Sequence, residues 1–205
     1  KDVFLKCDAI EIATSKEVSF TDQQCDFGYR NSIFKTTHKG QYVITRVTFK
    51  LTKNKHKIQT QYGAINEHLF LNNITNPTIK QVSDAVIAIR ESKLPDPKEL
   101  GNSGSFFKNP VVDSKTFEAF NAKFPEAPFY ALANAEFKIP AGWLIEQAGF
   151  KGKRYGDAGI HENQALVLVN YGNATGAQIW ELALKIQQKV AKDFGITIEP
   201  EVNIF

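Results

Sequence analysis

The sequence has no methionine and only two cysteines among its 205 residues. Without a methionine, Lys1 is not a translational start, so we expect the sequence to be a piece of a longer protein. Cys7 and Cys25 form no C-x-x-C motif, and the four histidines are scattered rather than placed at metal-ligand spacing. This favours two reduced, partly buried thiols over a disulfide or a zinc site, and no metal is expected.

Long apolar runs and the common nucleotide-binding glycine motifs are also missing. No run approaches the roughly 20 residues that span a bilayer, and the N-terminus has no signal-peptide pattern. We therefore expect a cytoplasmic protein with no membrane partner. The sequence has no P-loop, no G-x-G-x-x-G after a strand and no G-x-S-x-G elbow. The net charge of +3 leans toward anionic ligands but is too small to predict a nucleic acid partner.

What is present predicts an ordinary globular α+β protein. Hydrophobic residues make up 42% and charged residues 23% of the chain, which argues against disorder. Period-two patterns predict strands over 2–12, 18–20, 41–51 (with a possible bulge), 166–169 and 196–205. Helix-start signals lie at Thr21, Thr78, Ser114, Pro140 and Thr175. Strands and helices without regular βαβ alternation are typical of an α+β fold.

Two stretches have the composition of ligand-binding loops. Residues 101–110 combine glycines, the Ser105 hydroxyl, a cation and an amide, although a turn leading into a buried Phe-Phe pair explains the same residues. Residues 149–163 alternate glycines with lysines and an arginine, which suits either an anion or a solvated basic loop. A Ser-His-Asp hydrolase of Ser105, His161 and Asp157 is a further alternative that no elbow motif supports.

Six segments occur in an order that resembles one enzyme family. They are FGYRNSIFK at 27–35, KLPDP at 93–97, GNSGSFFKNP at 101–110, AGWLIEQ at 141–147, HENQALVL at 161–168 and EPEV at 199–202. With this succession the whole chain resembles the UDP-N-acetylenolpyruvoylglucosamine reductases, flavoenzymes of peptidoglycan precursor synthesis. Tyr62-Gly63 and Pro128-Phe129-Tyr130 are similar to the longer family type, which carries an inserted tyrosine loop.

The resemblance implies a redox reaction. In the family, NADPH reduces FAD, and the flavin passes a hydride to UDP-N-acetylglucosamine enolpyruvate, which becomes UDP-N-acetylmuramate. By motif match, Ser105 is the proton donor, while Arg30 and Glu201 lie at the substrate carboxylate and the developing enolate. Glu201 either donates a hydrogen bond as the neutral acid or acts through a relay with Arg30, and both possibilities stay open.

The resemblance also assigns residues to the UDP-sugar. The residues at positions expected to hold the diphosphate and adjoining groups are Tyr62, Lys93, Asn109, Tyr130 and Gln164. Lys93 supplies a point charge, and the two tyrosines offer hydroxyls and ring faces. Tyr130 lies on the inserted loop and is expected to close over the substrate. His161 and the basic loop at 149–163 are a further expected phosphate contact.

The family's N-terminal half, which holds the pyrophosphate of FAD, has no counterpart in this sequence. The resemblance therefore assigns residues 1–94 and 196–205 to the second half of a FAD-binding domain and residues 95–195 to a UDP-sugar-binding domain. The boundary falls at the stiff Leu94-Pro95-Asp96-Pro97 connector. We expect this chain by itself to retain no FAD and to lack reductase activity, and the residues that contact the cofactor stay unassigned.

Two other functions stay open on the residues alone. One is a non-catalytic nucleotide-sugar or phosphate-binding module built on Lys93, the loop at 149–163 and the aromatic side chains. The other is an RNA or DNA binder, which rests only on the slight basic excess. Titration with a UDP-sugar, combined with flavin absorbance, separates the module from the enzyme.

Overall fold

The structure, a computed structural model, describes residues 1–61 and 63–204. The chain divides into two compact units, Lys1–Ile58 and Gln59–Phe205. The boundary predicted after residue 94 concerns the domains of the complete protein and stays a prediction. Among the described residues, no helix combines the length and the apolar character that a membrane crossing requires.

The first unit is built on a three-stranded antiparallel sheet. Strand β1 (Phe4–Glu11) lies between β2 (Glu17–Thr21) and β3 (Tyr42–Phe49), close to the predicted ranges. Asp8 pairs with Arg46 while Ala9 pairs with Ile44, so β3 carries one extra residue between these positions. The bulge predicted from the slip in the alternating pattern is therefore confirmed.

The core of the first unit contains both cysteines. Helix α1 (Asp22–Cys25) starts with the predicted cap, since the Thr21 hydroxyl accepts from the Gln24 N–H and the Gln24 side chain binds back to Thr21. This helix carries Cys25 onto the buried face of β1, where the two sulfur atoms lie 4.0 Å apart. Cys7 and Cys25 are free thiols and are fully rather than partly buried.

We expect Cys25 to resist thiol reagents while the first unit is folded. Burial, with Cys7 as the second cause, raises the pKa of the Cys25 thiol from 9.0 to about 12. The folded state thus favours the neutral thiol. The contribution of this shift to the free energy of unfolding is fully present below pH 9 and is lost as the pH rises through about 12. At pH 8 the folded chain should hold about a thousandfold less Cys25 thiolate than the unfolded chain.

The measurement for Cys25 is the rate of reaction with Ellman's reagent in buffer and in urea. Mass spectrometry of the labelled peptides identifies which thiol has reacted. Slow labelling in buffer and fast labelling in urea is the expected result. Labelling of Cys25 at similar rates under both conditions would show that the thiol is not protected by burial.

The second unit begins with a helix pair. Helices α2 (Ile65–Leu71) and α3 (Ile79–Lys93) pack together around Ile65, Leu69 and Ala85. Helix α3 starts with the predicted Thr78 cap, which is reinforced by Gln81, and ends at Lys93 as predicted. The prolines that follow cannot continue the helix. The end of α3 is therefore set by local sequence.

Two antiparallel sheets follow in the second unit. Strands β4 to β10 are Gly101–Ser105, Val111–Asp113, Tyr130–Ala131, Glu136–Lys138, Arg154–Tyr155, Ala158–Ile160 and Val167–Asn170. One sheet has the order β4-β10-β9-β8, and the other has the order β5-β7-β6. The described strand pairs are all antiparallel, and together with the helices they confirm the predicted α+β class.

Three more helices complete this unit: α4 (Ser114–Asn121), α5 (Ala141–Gln147) and α6 (Gly176–Phe194). Helix α6 starts with the predicted Thr175 cap and ends at Gly195, which has the left-handed conformation. The predicted starts of α4 and α5 were wrong by one residue. Asp113, not Ser114, caps α4, and Pro140 precedes α5 instead of occupying its first turn.

The predicted strand over 196–205 is wrong for the described residues. Ile196 and Ile198 are buried and produce the alternating pattern, but the segment makes only an isolated bridge from Pro200 to Phe107. The Ile198 carbonyl accepts from the Gln187 side chain at 2.7 Å instead of from a neighbouring strand. An extended segment packed into a core therefore carries the same pattern as a strand.

Candidate active site

One cleft in the second unit collects four of the five residues predicted to bind a UDP-sugar. The cavity has a volume of about 920 Å³ and is lined by Lys93, Asn109, Tyr130 and Gln164, among others. Tyr62, the fifth predicted residue, lies outside the described residues. The four come from α3, the segment before β5, β6 and the turn before β10, so the fold brings together positions that are distant in sequence.

The side-chain amide of Asn109 has a defined orientation. Its Oδ1 accepts a hydrogen bond from the backbone N–H of Ala141, at 2.9 Å. A backbone N–H can only donate, so this contact assigns the oxygen to that side and leaves Nδ2 as the donor toward a ligand. Asn109 therefore supports the start of α5 and can also present an N–H group to a phosphate oxygen.

The last turn of α3 contributes two cations to the cleft. Lys93 was predicted, and Arg90 also lines the cavity. Residues three apart on a helix lie on the same face, which explains why both side chains reach the cleft. This spacing from Lys93 is the sequence signal that could have identified Arg90.

Gln164 lies where α5 approaches the turn before β10. Its Oε1 accepts from the Leu166 N–H at 3.5 Å, a long hydrogen bond. Gly142 of α5 faces this turn, and a Cβ atom added there would lie 3.6 Å from Gln164 Oε1 and 3.5 Å from Leu166 Cγ. Gln164 and the helix are thus in near contact along this wall of the cleft.

Tyr130 lies on a hairpin that is fixed by aromatic packing. The Phe129 and Phe137 rings pack on Phe117, with centroid distances of 4.6 and 3.9 Å. Adjacent residues of an extended chain point to opposite sides. Tyr130 and Lys138, which follow these phenylalanines, accordingly line the cleft. Closure of Tyr130 over a substrate stays a prediction.

Ser105 lies at the end of β4 and follows a backbone irregularity. Gly104 has φ +72°, and the register of β4 with β10 shifts between Val167 and Val169. A Cβ at Gly104 would meet nothing within 4 Å, so the backbone angle and not space favours glycine. The N–H of Gly104 donates to Asn102 Oδ1 at 2.9 Å, which fixes the bend before Ser105. Residues 101–105 are therefore a bulged strand and not a free turn.

Backbone hydrogen bonds bring Glu201 next to the Ser105 segment. Phe106, directly after Ser105, accepts from the Glu201 N–H at 2.8 Å and donates to the Leu166 carbonyl at 2.7 Å. Leu166 lines the cleft. The backbone of Glu201, near the end of the chain, is thus bound to the residue after Ser105, which in turn is bound to a residue that lines the cleft.

Arg30 belongs to the first unit. It lies in a tight turn closed by the bridge between Gly28 and Asn31, with its backbone in the left-handed region at φ +53°. A non-glycine residue in this region is uncommon. The role of Arg30 beside Ser105 and Glu201 stays a prediction.

Two of the three lysine and arginine side chains of the basic loop form ion pairs, one with α5 and one within the loop. Lys151 binds Glu146 at 2.9 Å, and Arg154 binds Asp157 at 2.8 Å while its guanidinium lies 4.4 Å from the Tyr171 ring centroid. These contacts favour a surface loop whose cations are largely compensated over a dedicated anion site. A phosphate contact from this loop stays a prediction.

The alternative Ser-His-Asp arrangement is not supported. The Asn173 N–H and then the Arg154 guanidinium lower the pKa of the Asp157 carboxyl. His161 accepts at Nδ1 from the Asn163 N–H, at 3.3 Å. The described hydrogen bonds of the Asp157 carboxylate thus go to Arg154 and to the Asn173 backbone, and none of them orients His161 as a base for Ser105.

The fold and the cleft define the class of this protein: an α+β protein whose second unit has a cleft lined by several cations. The family model described as UDP-N-acetylenolpyruvoylglucosamine reductase, C-terminal domain, matches residues 96–205, more than half of the chain. The chain belongs to this family. The resemblance predicted from the six ordered segments is confirmed.

Curated relatives extend the similarity to the whole chain. The UDP-N-acetylenolpyruvoylglucosamine reductase of Flavobacterium johnsoniae is 61% identical over 204 residues, and that of Amoebophilus asiaticus is 48% identical over 203 residues. These alignments cover 100% and 99% of this chain but 60% of each relative. The chain therefore spans about 60% of the length of the relatives that it matches.

A solved structure agrees on the fold. The crystal structure of the UDP-N-acetylenolpyruvylglucosamine reductase from Thermus caldophilus matches with a TM-score of 0.57 and 21% identity. The match covers 100% of this chain and 53% of that chain. At this identity the similarity concerns the fold alone, and it is consistent with the α+β class.

Proposed function

We propose that the complete protein is a UDP-N-acetylmuramate dehydrogenase of peptidoglycan precursor synthesis. It uses NADPH and FAD to reduce UDP-N-acetylglucosamine enolpyruvate, and it acts in the cytoplasm. The observation that carries the proposal is the cleft, because the four described residues predicted to bind the UDP-sugar line a single cavity. The name shared by the curated relatives supports the same reaction.

The cleft suits the diphosphate of a UDP-sugar. Lys93 brings a point charge, and Asn109 offers the Nδ2 donor that its contact with Ala141 leaves available. Charge-assisted hydrogen bonds of this kind are shorter and stronger than neutral ones. The hydroxyl of Tyr130 and the amide of Gln164 add polar groups that can fix the orientation of the sugar nucleotide.

FAD, reduced by NADPH, supplies the hydride when it is bound in the complete protein. The pyrophosphate of FAD typically binds free N–H groups at a glycine-rich helix start. The three longest helices of the second unit, α3, α4 and α6, start at Thr78, Asp113 and Thr175, whose side chains already accept from N–H groups of the first turn. The short helices α2 and α5 start without such a cap. We assign no residue of this chain to the cofactor.

We propose that Ser105 delivers a proton to the substrate carbon beside the carboxylate. Ser105 donates the proton from its hydroxyl, and the hydroxyl oxygen becomes more negative as the proton leaves. Serine is a weak acid, so the transfer requires neighbouring charge or hydrogen bonds that stabilise the developing anion. Glu201, held beside Phe106, and Arg30 are the groups we propose for this stabilisation.

We expect this chain, as printed, to bind UDP-N-acetylglucosamine but neither to retain FAD nor to oxidise NADPH. Calorimetric titration measures the binding, with uridine as the control ligand that lacks the diphosphate. Flavin absorbance of the purified chain and an NADPH assay test the other two points. A yellow sample with stoichiometric flavin that oxidises NADPH would contradict this expectation.

The complete protein provides the test of the enzyme itself. It should purify with flavin and convert UDP-N-acetylglucosamine enolpyruvate to UDP-N-acetylmuramate, which mass spectrometry detects. A complete protein that binds UDP-sugars but contains no flavin would instead support the alternative, a non-catalytic nucleotide-sugar-binding module.

A further inference from the structure

A short antiparallel pairing joins the segment after Ser105 to the last part of the described chain, with an isolated bridge at its centre. On one side of the bridge, the Lys108 N–H donates to the Glu199 carbonyl at 3.0 Å. On the other side, the Glu201 N–H donates to the Phe106 carbonyl at 2.8 Å. Lys108 therefore lies opposite Glu199, and Glu201 lies opposite Phe106.

The side chains of Lys108 and Glu199 extend this pairing as an ion pair. The ammonium nitrogen lies 2.5 Å from Oε2 of the carboxylate. The two side chains are 38% and 63% exposed, and an ion pair that is this open to water adds little to stability. The main effect of the pair is therefore expected on the position of the charges and not on the stability of the fold.

Glu199 and Glu201 can compete for the ammonium group of Lys108. In an extended segment, residues two positions apart point to the same side and lie about 7 Å from each other. A lysine has a flexible four-carbon side chain, and across paired segments a long side chain reaches the diagonal neighbour as well as the residue directly opposite. In the structure the ammonium group is bound by Glu199.

The competition matters because Glu201 has another task in the proposed proton transfer. Ser105 and Lys108 lie on opposite sides of Phe106 along the chain, and Glu201 is bound to the Phe106 carbonyl between them. The Glu201 carboxylate can thus turn toward Ser105 or toward Lys108. An ammonium group without Glu199 as its partner would draw this carboxylate away from Ser105.

We propose that Glu199 is a positioning residue for the reaction: it occupies the ammonium group of Lys108 and thereby keeps the Glu201 carboxylate directed to the Ser105 segment. This inference rests on the proposed function, because it takes Ser105 and Glu201 as the groups of the proton transfer. Lys108 and Glu199 are not among the described residues that line the cleft. Binding of the UDP-sugar should therefore depend little on this ion pair.

The test measures reduction of UDP-N-acetylglucosamine enolpyruvate by variants of the complete protein. Glu199→Gln leaves the Lys108 ammonium group to attract Glu201. It should lower kcat about tenfold, within the roughly hundredfold loss that a misplacement of about 1 Å can cause. KM should change much less than kcat, and flavin reduction by NADPH should keep its wild-type rate. Glu199→Asp, which keeps the charge, should retain most of the activity.

A second substitution distinguishes this role from simple support of the segment. Lys108→Met removes the competing charge, so by itself it should lower kcat less than Glu199→Gln does. Combining the two substitutions should recover most of the activity lost in Glu199→Gln, because no ammonium group remains to attract Glu201. An ion pair that only held the two segments together would give equal losses in the single variants and no recovery in the double variant.

The matched control is Asp84→Asn on α3. Lys80 and Asp84 form an exposed ion pair at 2.6 Å, and they are not among the described residues that line the cleft. Leaving this lysine without its carboxylate should leave kcat unchanged. Urea unfolding should give Glu199→Gln and Asp84→Asn nearly the stability of the wild type, because both ion pairs are exposed.

The outcomes separate this inference from the proposed function. If the wild type reduces the substrate and Glu199→Gln does so with the same kcat, the inference is overturned while the proposed function stands. A loss in Glu199→Gln that Lys108→Met does not relieve would also overturn it, because the lysine would then not be the cause. If the wild-type complete protein does not reduce the substrate, the proposed function fails and this inference fails with it.

Discussion

Replacing Ser105 by alanine in the complete protein should lower kcat for reduction of UDP-N-acetylglucosamine enolpyruvate by about 10²- to 10⁴-fold, the usual contribution of a positioned proton donor. KM for the substrate should change little, because the hydroxyl acts in the transition state and not in ground-state binding. Bleaching of the flavin absorbance by NADPH should keep its wild-type rate, since the proton is needed only after that step.

The control for Ser105→Ala is Ser103→Ala on the same strand. Ser103 is also an exposed serine of β4, two residues earlier, so its replacement tests the effect of removing a hydroxyl from this strand. The control should retain normal activity. Full activity of the Ser105→Ala variant would contradict the proposed role of Ser105 as proton donor. An equal loss in both variants would indicate that β4 itself had been disturbed.

Helix starts were predictable where one residue pair decides them. Each of α1, α3 and α6 begins with a threonine whose hydroxyl accepts from the N–H of a glutamine three positions later, and the glutamine binds back. This reciprocal bonding needs no tertiary contact, so the sequence contains the whole signal. At α4, Asp113 and Ser114 can both cap a helix. The Asp113 carboxylate takes the Thr116 N–H, a choice that sequence alone did not determine.

Pairings between distant segments were harder to predict. The alternating pattern at Ile196 and Ile198 could not distinguish a strand from an extended segment packed in the core. Gly104 and Ser105 were identified as unusual, but the bulge depends on the register with β10, which is far away in sequence. Backbone pairing between residues that are distant in the chain is fixed by tertiary packing, which a local pattern does not contain.

The candidate site also contains some residues that the sequence could identify and others that only the structure reveals. Family segments identified Lys93, Asn109, Tyr130 and Gln164, and these residues do line one cleft. Lys138 was missed because it lies eight positions after Tyr130 and meets it only through the hairpin register. Sequence resemblance can transfer positions within known motifs, whereas contacts that depend on strand pairing require coordinates.

The second large effect that we expect is the loss of stability in Phe107→Ala. Phe107 is 1% exposed, packs with Phe106 at a centroid distance of 5.1 Å, and forms the isolated bridge with Pro200. Its truncation leaves a cavity in the core of the second unit. The free energy of unfolding should fall by about 3 to 5 kcal/mol, the usual cost for a buried phenylalanine.

Urea unfolding followed by tryptophan fluorescence can measure this loss in the second unit specifically. The two tryptophans of the chain, Trp143 and Trp180, both pack against the core that contains Phe107. The control is Phe70→Ala in the same unit. Its side chain is 79% exposed, so the change should stay within about 0.5 kcal/mol.

Phe107→Ala should also affect catalysis in the complete protein, at temperatures where the variant is still folded. The neighbours of Phe107 bind the segment that carries Glu201, through the Phe106 carbonyl and through the Lys108 N–H to the Glu199 carbonyl at 3.0 Å. A cavity between these contacts loosens Glu201 but leaves Lys93 in place. We therefore expect kcat to fall while UDP affinity is retained. A variant with normal stability and normal kcat would contradict the coupling between this core and the Ser105 segment.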